Sequence, residues 1–464
     1  MEVRIIDQDE LDSLLALNED HFNDVKSKRI NPSKLQETFV AFANSDGGDL
    51  YIGIEDKSER GERVIGFGEQ EDANALLSTL LEETNPAVEN VLIEFLEVEG
   101  KGLLLHFGIP KSPKVHYTAS GDCYIRINAS KRKIKGDRIT QLGYSKGAEP
   151  YERRALDNVD IEDIVEGELL SKYMCRVGTH LEPEAFLRKQ RLLTKKDGER
   201  VPNVGSILLF DDEPQATLET RCAVKVYRLR TTEIEYRREQ LEEMPVTING
   251  DVESVIEKTV NQVSKYIDGA SFQDAGKIVK LNYPSEALKE ILVNAVIHRD
   301  YSLNDDVHVR VFDNRVEVQS PGKLPGYMTL ENLYDERFSR NPNVVRMLHN
   351  LPDPVNHDIG EGLDTAKNEL KKAGLVDPIF DEKENAFIVT IKHQKLASIE
   401  DVILQYFSEN PDSSISNKLV RQLSGEDDMQ KVKLALQKLR AAGEIKLEDE
   451  NASAFNYRYI KVKG

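Results

Sequence analysis

Residues 41–57 read AFANSDGGDLYIGIEDK. A helical pattern runs into two glycines, a short apolar run follows, and two adjacent acids close the stretch. Had the glycines opened a helix, free backbone N–H groups would face a bound anion. The order here is helix, glycines, strand, which disfavours a phosphate cradle. Gly47-Gly48 instead turns the chain sharply, so that a rigid strand end carries Asp56. Upstream, NEDHFNDVKSKRI (18–30) adds Glu19, Asp24 and Lys26. Metal-assisted phosphodiester chemistry needs two or three carboxylates converging on a hard divalent cation, with a lysine near the phosphate. Among 82 acidic side chains the same three acids also read as solvated turn residues. Spacing does not choose between the two.

At 464 residues the chain is too long for one core, and about three domains are expected. Its 39% hydrophobic and 31% charged content is that of ordinary globular material. No apolar run reaches the length of a membrane span, and MEVRIIDQDELDSLL has no signal-peptide pattern. Cys123, Cys175 and Cys222 lie far apart without histidines at metal spacing, which excludes a disulfide framework and a structural zinc site. A cytoplasmic protein is expected. The net charge of −20 repels nucleic acid at long range, so such a partner must meet a local basic patch.

The first segment, 1–145, is expected to hold a helix over 9–18 and a second starting at Asn31 as N-cap. Pro32 then takes the first helical position, with Leu35, Phe39 and Phe42 on one face. Strands are expected over 50–54, 91–96, 102–108 and 123–127, and the polar region 143–150 is a boundary. The middle, 151–280, opens with acidic helical material (161–170), continues with strand-like SILLF (206–210) and CAVKVYRL (222–229), and closes on a helix over 252–266. No chemistry is legible there. The third segment, 283–394, begins with the helix SEALKEILVNAVIHRD. A hairpin around Asp313-Asn314 (307–312 with 315–320), a helix over 363–373 and a strand over 386–393 follow. The tail, 398–464, reads three helices and a hairpin alternating Phe455, Tyr457 and Tyr459, an order that suits a winged helix. Lys431, Lys433, Lys438 and Arg440 on its third helix suit a groove reader. They also suit the wet side of a helix whose Val432, Leu436 and Leu439 face the core.

NEDHFNDVKSK, AFANSDGGDLYIGIEDK, VIGF (64–67) and CYIRINASKRKIKGDR (123–138) together resemble the Schlafen AlbA-type domain. The resemblance implies a metal-dependent, RNA-cleaving centre using Mg²⁺ or Mn²⁺ on Glu19, Asp24 and Asp56, with Lys26 beside them. Asp24 stands where that family usually has Glu.

In the third segment, Glu290 and Asn294 are four apart and share a helix face. A carboxylate and an amide one turn apart suit water activation and Mg²⁺ coordination beside a triphosphate, or simply the polar side of an amphipathic helix. EILVNAVIHRDYS, SPGKLP (320–325), RNPNV and GEGLDTAKNEL together resemble a variant of the GHKL (Bergerat-type) ATP-binding fold. That resemblance implies that Glu290 positions the attacking water and Asn294 holds Mg²⁺. Loops at Gly322, Gly360 and Gly362 would enclose ATP. His298, Arg299 and Asp300 belong to the variant's signature, Asp300 being taken with the nucleotide site. The Asp that reads the adenine amine is absent: the segment is Gln319-Ser320-Pro321-Gly322.

The expected architecture is α/β (α+β) and multidomain: a mixed-sheet Schlafen-like domain, a GHKL-type α/β sandwich and a winged helix. The leading expectation is an ATP-regulated nucleic-acid-processing protein, a nuclease on RNA or single strands, acting in defence. The other is an ATP-sensing, DNA-binding transcriptional regulator without nuclease activity. Two ligand-responsive domains in one chain suggest a homo-oligomer.

Overall fold

The computed structural model describes residues 1–57, 61–268, 271–274, 277–280, 283–356, 362–392, 399–411, 413–424, 429–449 and 457–462. It is a mixed α/β, multidomain structure, as expected, and divides into two compact units. One comprises Met1–Leu370 with Asp377–Lys392, the other Lys371–Val376 with His393–Gly464. No helix among the described residues is long and apolar enough to cross a membrane.

The chain opens with β1 (Glu2–Ile5), α1 (Gln8–Ala16), β2 (Asn23–Lys26), α2 (Pro32–Asn44), β3 (Gly48–Ile52), α3 (Asn74–Leu81), β4 (Leu92–Val98) and β5 (Gly102–Ile109). Asn31 caps α2 by accepting from the Ser33 N–H, and Pro32 follows it, as the sequence requires. The five strands form one sheet in the order β1-β4-β5-β3-β2. Leu105, Phe107 and Ile109 of β5 face α2 and α3, packing with Leu35, Phe39, Phe42 and Leu80. Leu104 faces the other way, onto Leu11 and Leu14 of α1. Burial on both faces explains why GLLLHFGI is almost unbroken in hydrophobicity. A separate ribbon of β6 (Cys123–Ile127) and β7 (Ser130–Ile134) lies on α2 and leads into α4 (Asp137–Lys146).

The exception in β5 is His106. Its Nε2 meets Asp49 Oδ1 at 2.7 Å, its Nδ1 meets Glu94 Oε1 at 2.8 Å, and its ring stacks on Tyr51 at 4.4 Å. Burial opposes the imidazolium, but the two carboxylates outweigh it and raise the pKa. A raised folded-state pKa gives stability that is full below the unfolded value of about 6.5 and fades as pH rises through the folded value. His106→Gln is therefore expected to lower the urea midpoint more at pH 6 than at pH 9. An equal loss at both would refute the charged bridge.

The middle continues with α5 (Ile161–Val165), α6 (Glu168–Arg176), α7 (Pro183–Lys189), β8 (Leu193–Lys196), β9 (Glu199–Pro202), α8 (Val204–Phe210) and α9 (Pro214–Thr217). SILLF, expected as a strand, is part of the fully buried helix α8. A short apolar run has no period to separate strand from buried helix. Here the ends decide: Asn203 accepts from the Ser206 N–H, and the Ser206 hydroxyl sits 3.1 Å from the Asn203 N–H, a capping box.

After β10 (Val224–Arg228), β11 (Val246–Ile248), α10 (Val252–Asp268), β12 (Ser271–Asp274) and β13 (Lys277–Lys280) come α11 (Ser285–Ile297), β14 (Val307–Val311), β15 (Arg315–Pro321), α12 (Pro342–His349), α13 (Gly362–Lys372), β16 (Ile379–Lys383) and β17 (Ala386–Lys392). A six-stranded sheet runs β11-β10-β14-β15-β17-β16. The division expected near residue 280 thus runs through one sheet. Strand β10 pairs in parallel with β14, and parallel neighbours need a long crossover, which α10 and α11 supply. Glu152 adds a further tie, its buried carboxylate accepting from the N–H groups of Asn343 and Val344 at the start of α12.

The tail unit runs α14 (Ile399–Glu409), β18 (Ile415–Ser416), α15 (Asn417–Ser424), α16 (Met429–Ala441), β19 (Ile445–Leu447) and β20 (Arg458–Lys461), with sheet order β18-β20-β19. Ile403, Phe407, Val420, Leu436, Leu439 and Tyr459 fill its core. Lys438 of α16 is paired with Glu400 at 3.0 Å. Phe455 lies outside the described residues.

Candidate functional site

A cavity of about 340 Å³ opens beside α11. Glu290 and Asn294, one turn apart on α11, both line it. Its walls are mostly apolar, with Val318, Met328, Leu333, Phe387 and Val389 among them. Gly362, the first residue of α13, closes on the polar end. A Cβ there would stand 2.7 Å from Glu290 Oε2 and 3.4 Å from Asn294 Nδ2. Gly362→Ala is expected to push Glu290 aside and to weaken whatever ligand the cavity holds at least about tenfold, the order of one misplaced charged contact. Titration with candidate small-molecule ligands checks this, and unchanged affinity would remove Gly362 from the site. Gly360 lies outside the described residues.

Ser320, near the end of β15, also lines the cavity. Its hydroxyl donates to Ala295 O at 2.7 Å. Gly322 has φ +104°, and a Cβ on it would meet Arg340 Nη1 at 2.6 Å and Asp300 Cβ at 2.7 Å. Asp300 does not line the cavity. It stands behind Gly322, with its N–H donating to Pro321 O and its Oδ1 accepting from the Ser302 N–H and hydroxyl.

Arg340 is 2% exposed and donates to three main-chain oxygens: His298 O at 3.3 Å, Lys323 O at 2.8 Å and Ser145 O at 2.9 Å. Burial, with Arg340 nearby, lowers the His298 pKa to about 4, so its imidazole is neutral at pH 7. Four buried polar atoms of cavity-lining residues have no hydrogen-bond partner among the described residues: His298 Nδ1, Ser339 Oγ, Arg340 Nε and Asn356 Oδ1. Unpaired buried polar atoms are costly and rare, and four of the eleven found among the described residues belong to the lining of this cavity.

The SPGKLP loop also touches the front of the chain. Lys111 Nζ donates to Leu324 O and the Gly326 N–H to Lys146 O, each at 2.9 Å, while Lys323 Nζ lies 3.6 Å from Asp46. His21, at 2.8 Å, with Lys323 and Lys111, holds the Asp46 carboxyl well below the usual range. Lys146 Nζ donates to Ala43 O, and burial, with Lys111 nearby, lowers its pKa to about 7.

The acids of the opening motif are arranged otherwise than expected. Both oxygens of the buried Asp24 are occupied: Oδ1 accepts from Lys26, and Oδ2 from Arg126 Nη1 at 2.7 Å. Lys26 also donates to Glu19 Oε1 at 2.7 Å, which places one ammonium between the two carboxylates. Burial opposes that charge, but Asp24 and Glu19 outweigh it and raise the Lys26 pKa. Burial and Asp24 raise the Glu19 pKa, with Lys26 acting against them. Asp56 is exposed beyond the end of β3, while its neighbour Glu55 is buried and accepts from the Ser27 hydroxyl at 2.8 Å.

Among the described residues no three His, Cys, Asp or Glu side chains are grouped to hold a metal. The donor set of Glu19, Asp24 and Asp56, as folded, does not fit Mg²⁺ or Mn²⁺. Gly47 and Gly48 stand at the start of β3, and Asp56 lies beyond its far end. These glycines, at φ +78° and +147°, let the turn pass close to Ile109 O and Phe22 O, where a Cβ would stand at 2.6 Å and 2.3 Å. Arg126 and Arg340 are the residues sequence reading missed. Both lie inside stretches the sequence reading quoted, CYIRINAS and RNPNV, but nothing local marks either as buried.

Residues 19–135 match the Schlafen, AlbA_2 family, and residues 304–391 match a family described as "Putative ATP-dependent DNA helicase recG C-terminal" (HATPase_c_4). The chain thus carries a Schlafen/AlbA_2 domain at its N-terminus and a HATPase_c_4 domain further along. The second match begins after α11, so Glu290 and Asn294 precede it. No curated protein matches the chain. Among solved structures, the crystal structure of the DIP2311 protein from Corynebacterium diphtheriae aligns with 98% of this chain and 96% of its own. Its identity is 17% and its TM-score 0.41, a likeness too loose to carry an argument.

Proposed function

We propose that this chain is a nucleic-acid-binding protein whose state is set by ATP held beside α11. The two family matches support an ATP-linked, nucleic-acid-related role, and one observation carries the site: four unpaired buried polar atoms around a cavity with Glu290 and Asn294 at one end. The apolar walls suit a purine face. His298, Ser339 and Asn356 offer hydrogen bonds to a polar ligand. Asn294 offers an oxygen to Mg²⁺, which when bound offsets phosphate charge. Glu290 stands beside it, placed to hold a water. The front domain is read as the nucleic-acid contact, and the tail as a winged helix.

The test combines a fluorescent ATP titration in Mg²⁺ with binding of labelled RNA, single-stranded DNA and duplex DNA, with and without ATP. The expected result is saturable ATP binding that changes nucleic-acid affinity. Absence of ATP binding at millimolar concentration would overturn the nucleotide reading. Cleavage that disappears in Asp56→Ala would replace binding by nuclease processing, the role expected from the motif alone.

A further inference from the structure

Residues 131–138 read KRKIKGDR, five cations against one acid, in a chain whose net charge is −20. Four of the five, Arg132, Lys133, Lys135 and Arg138, are exposed, and Lys131 is half-buried. Lys131, Arg132 and Lys133 lie on β7, in a two-stranded ribbon that pairs only with itself; Lys135 lies on the turn after it and Arg138 in the first turn of α4. Lys131 is paired with Glu37 and Lys133 with Asp122. Arg132, Lys135 and Arg138 form no ion pair among the described residues. In a protein with 82 acidic side chains, three neighbouring cations without an ion pair among the described residues are not explained by internal pairing.

The ribbon is also held firmly. Arg126 of β6 is 3% exposed, lies over the Phe42 ring at 4.3 Å and is bound by Asp24 Oδ2, Asp20 O and Asn23 O. The Ser45 hydroxyl accepts from the Arg126 N–H at 2.8 Å. Residues two apart on a strand stand about 6.6 Å apart on one face. Lys131 and Lys133 therefore share one face of β7, with Arg132 on the other and Lys135 just past its end. A fixed ribbon gives up little backbone freedom when its side chains bind, and a two-stranded ribbon has the width of a duplex groove.

We propose that the ribbon Cys123–Ile134, the turn after it and the first turn of α4, through Arg132, Lys135 and Arg138 with Lys131 and Lys133 beside them, grip the sugar-phosphate backbone of a nucleic acid. This rests on the nucleic-acid reading of the front domain and gives that reading its surface. It also assigns the Asp24–Arg126 pair a positioning role, that of locking the ribbon to β2. Backbone contacts carry affinity and little sequence information, so the binding is strongly salt-dependent and tolerant of sequence.

The test is the full chain against labelled single-stranded RNA, single-stranded DNA and duplex DNA over a salt series. The triple variant Arg132→Gln, Lys135→Gln, Arg138→Gln changes only exposed side chains. It is expected to bind at least about tenfold more weakly and to reduce the salt slope by about 2–3, given about 0.7–0.9 per phosphate contact. A second triple variant, Lys189→Gln, Lys195→Gln, Arg200→Gln, removes the same charge from an exposed part of the middle region and is expected to bind as the parent does. Arg132→Lys with Arg138→Lys is expected to restore most of the binding. If the two Gln triples lose affinity equally, the effect is net charge and the ribbon proposal fails. If the parent binds and the ribbon triple binds with the same slope, the ribbon fails while the nucleic-acid reading stands. If the parent binds none of the three probes, the reading itself falls, and the ribbon with it.

Discussion

Arg126→Met is expected to cost about 3–5 kcal/mol of stability, the loss that follows when one member of a buried ion pair is removed. The Arg126 side chain is 1% exposed and its Asp24 partner 4%. The guanidinium satisfies that carboxylate and two main-chain oxygens, Asp20 O and Asn23 O, at 2.6–2.9 Å. Methionine fills similar space against Phe42 but leaves those acceptors buried without their donor. Lys26 still holds the other Asp24 oxygen, so the carboxylate keeps one counter-charge. A urea melt measures the loss, and Asp24→Asn with the double variant closes a cycle that isolates the pair. A loss below about 1 kcal/mol would show that the pair is ornamental. A chelator is expected to leave the parent's melt unchanged, because Lys26 stands where a cation would.

Arg340→Met is the second large effect. Arg340 and Asp300 are both almost fully buried, with Arg340 Nε 4.0 Å from Asp300 Oδ2. Removing the guanidinium strips donors from His298 O, Lys323 O and Ser145 O and leaves a buried carboxylate with no cation. The expected destabilisation is again about 3–5 kcal/mol. A distinct outcome is expected in function. On the proposed function, with Arg340 gone ATP binding falls and ATP ceases to alter nucleic-acid affinity, because two sites influence one another only through a shared element with a differential energy. Arg340→Lys keeps the charge but not the planar fork, and is expected to rescue little. A stable variant with parental ATP binding and unaltered coupling would refute the role.

Much of this was legible beforehand because it is written locally. Asn31-Pro32 begins α2 and the spacing of Leu35, Phe39 and Phe42 fixes its buried face. The alternation in VHVRVF and RVEVQS gives the β14–β15 hairpin. Glu290 and Asn294 share a helix face at any four-residue spacing. The failures are non-local. Asp24 became a buried ion-pair member because Arg126, 102 positions away, reaches it; residue type showed the acid but not its partner. SILLF was decided by a cap outside its apolar run. The six-stranded sheet recruits β10 and β11 from a segment whose own residues carry no motif, since pairing between distant strands leaves no local periodic mark.

The seam between the front domain and the SPGKLP loop is made largely of main-chain acceptors: Ser145 O for Arg340, Lys146 O for the Gly326 N–H, and Leu324 O for Lys111. Every residue type carries a carbonyl, so the exposed Ser145 is free to drift between lineages without loosening its contact. Covariation between columns of aligned sequences would therefore record little at this position. Two descendants of one ancestor would keep the same mechanical link while their letters diverge, and only the donors, Arg340 and Lys111, would bear the trace of selection.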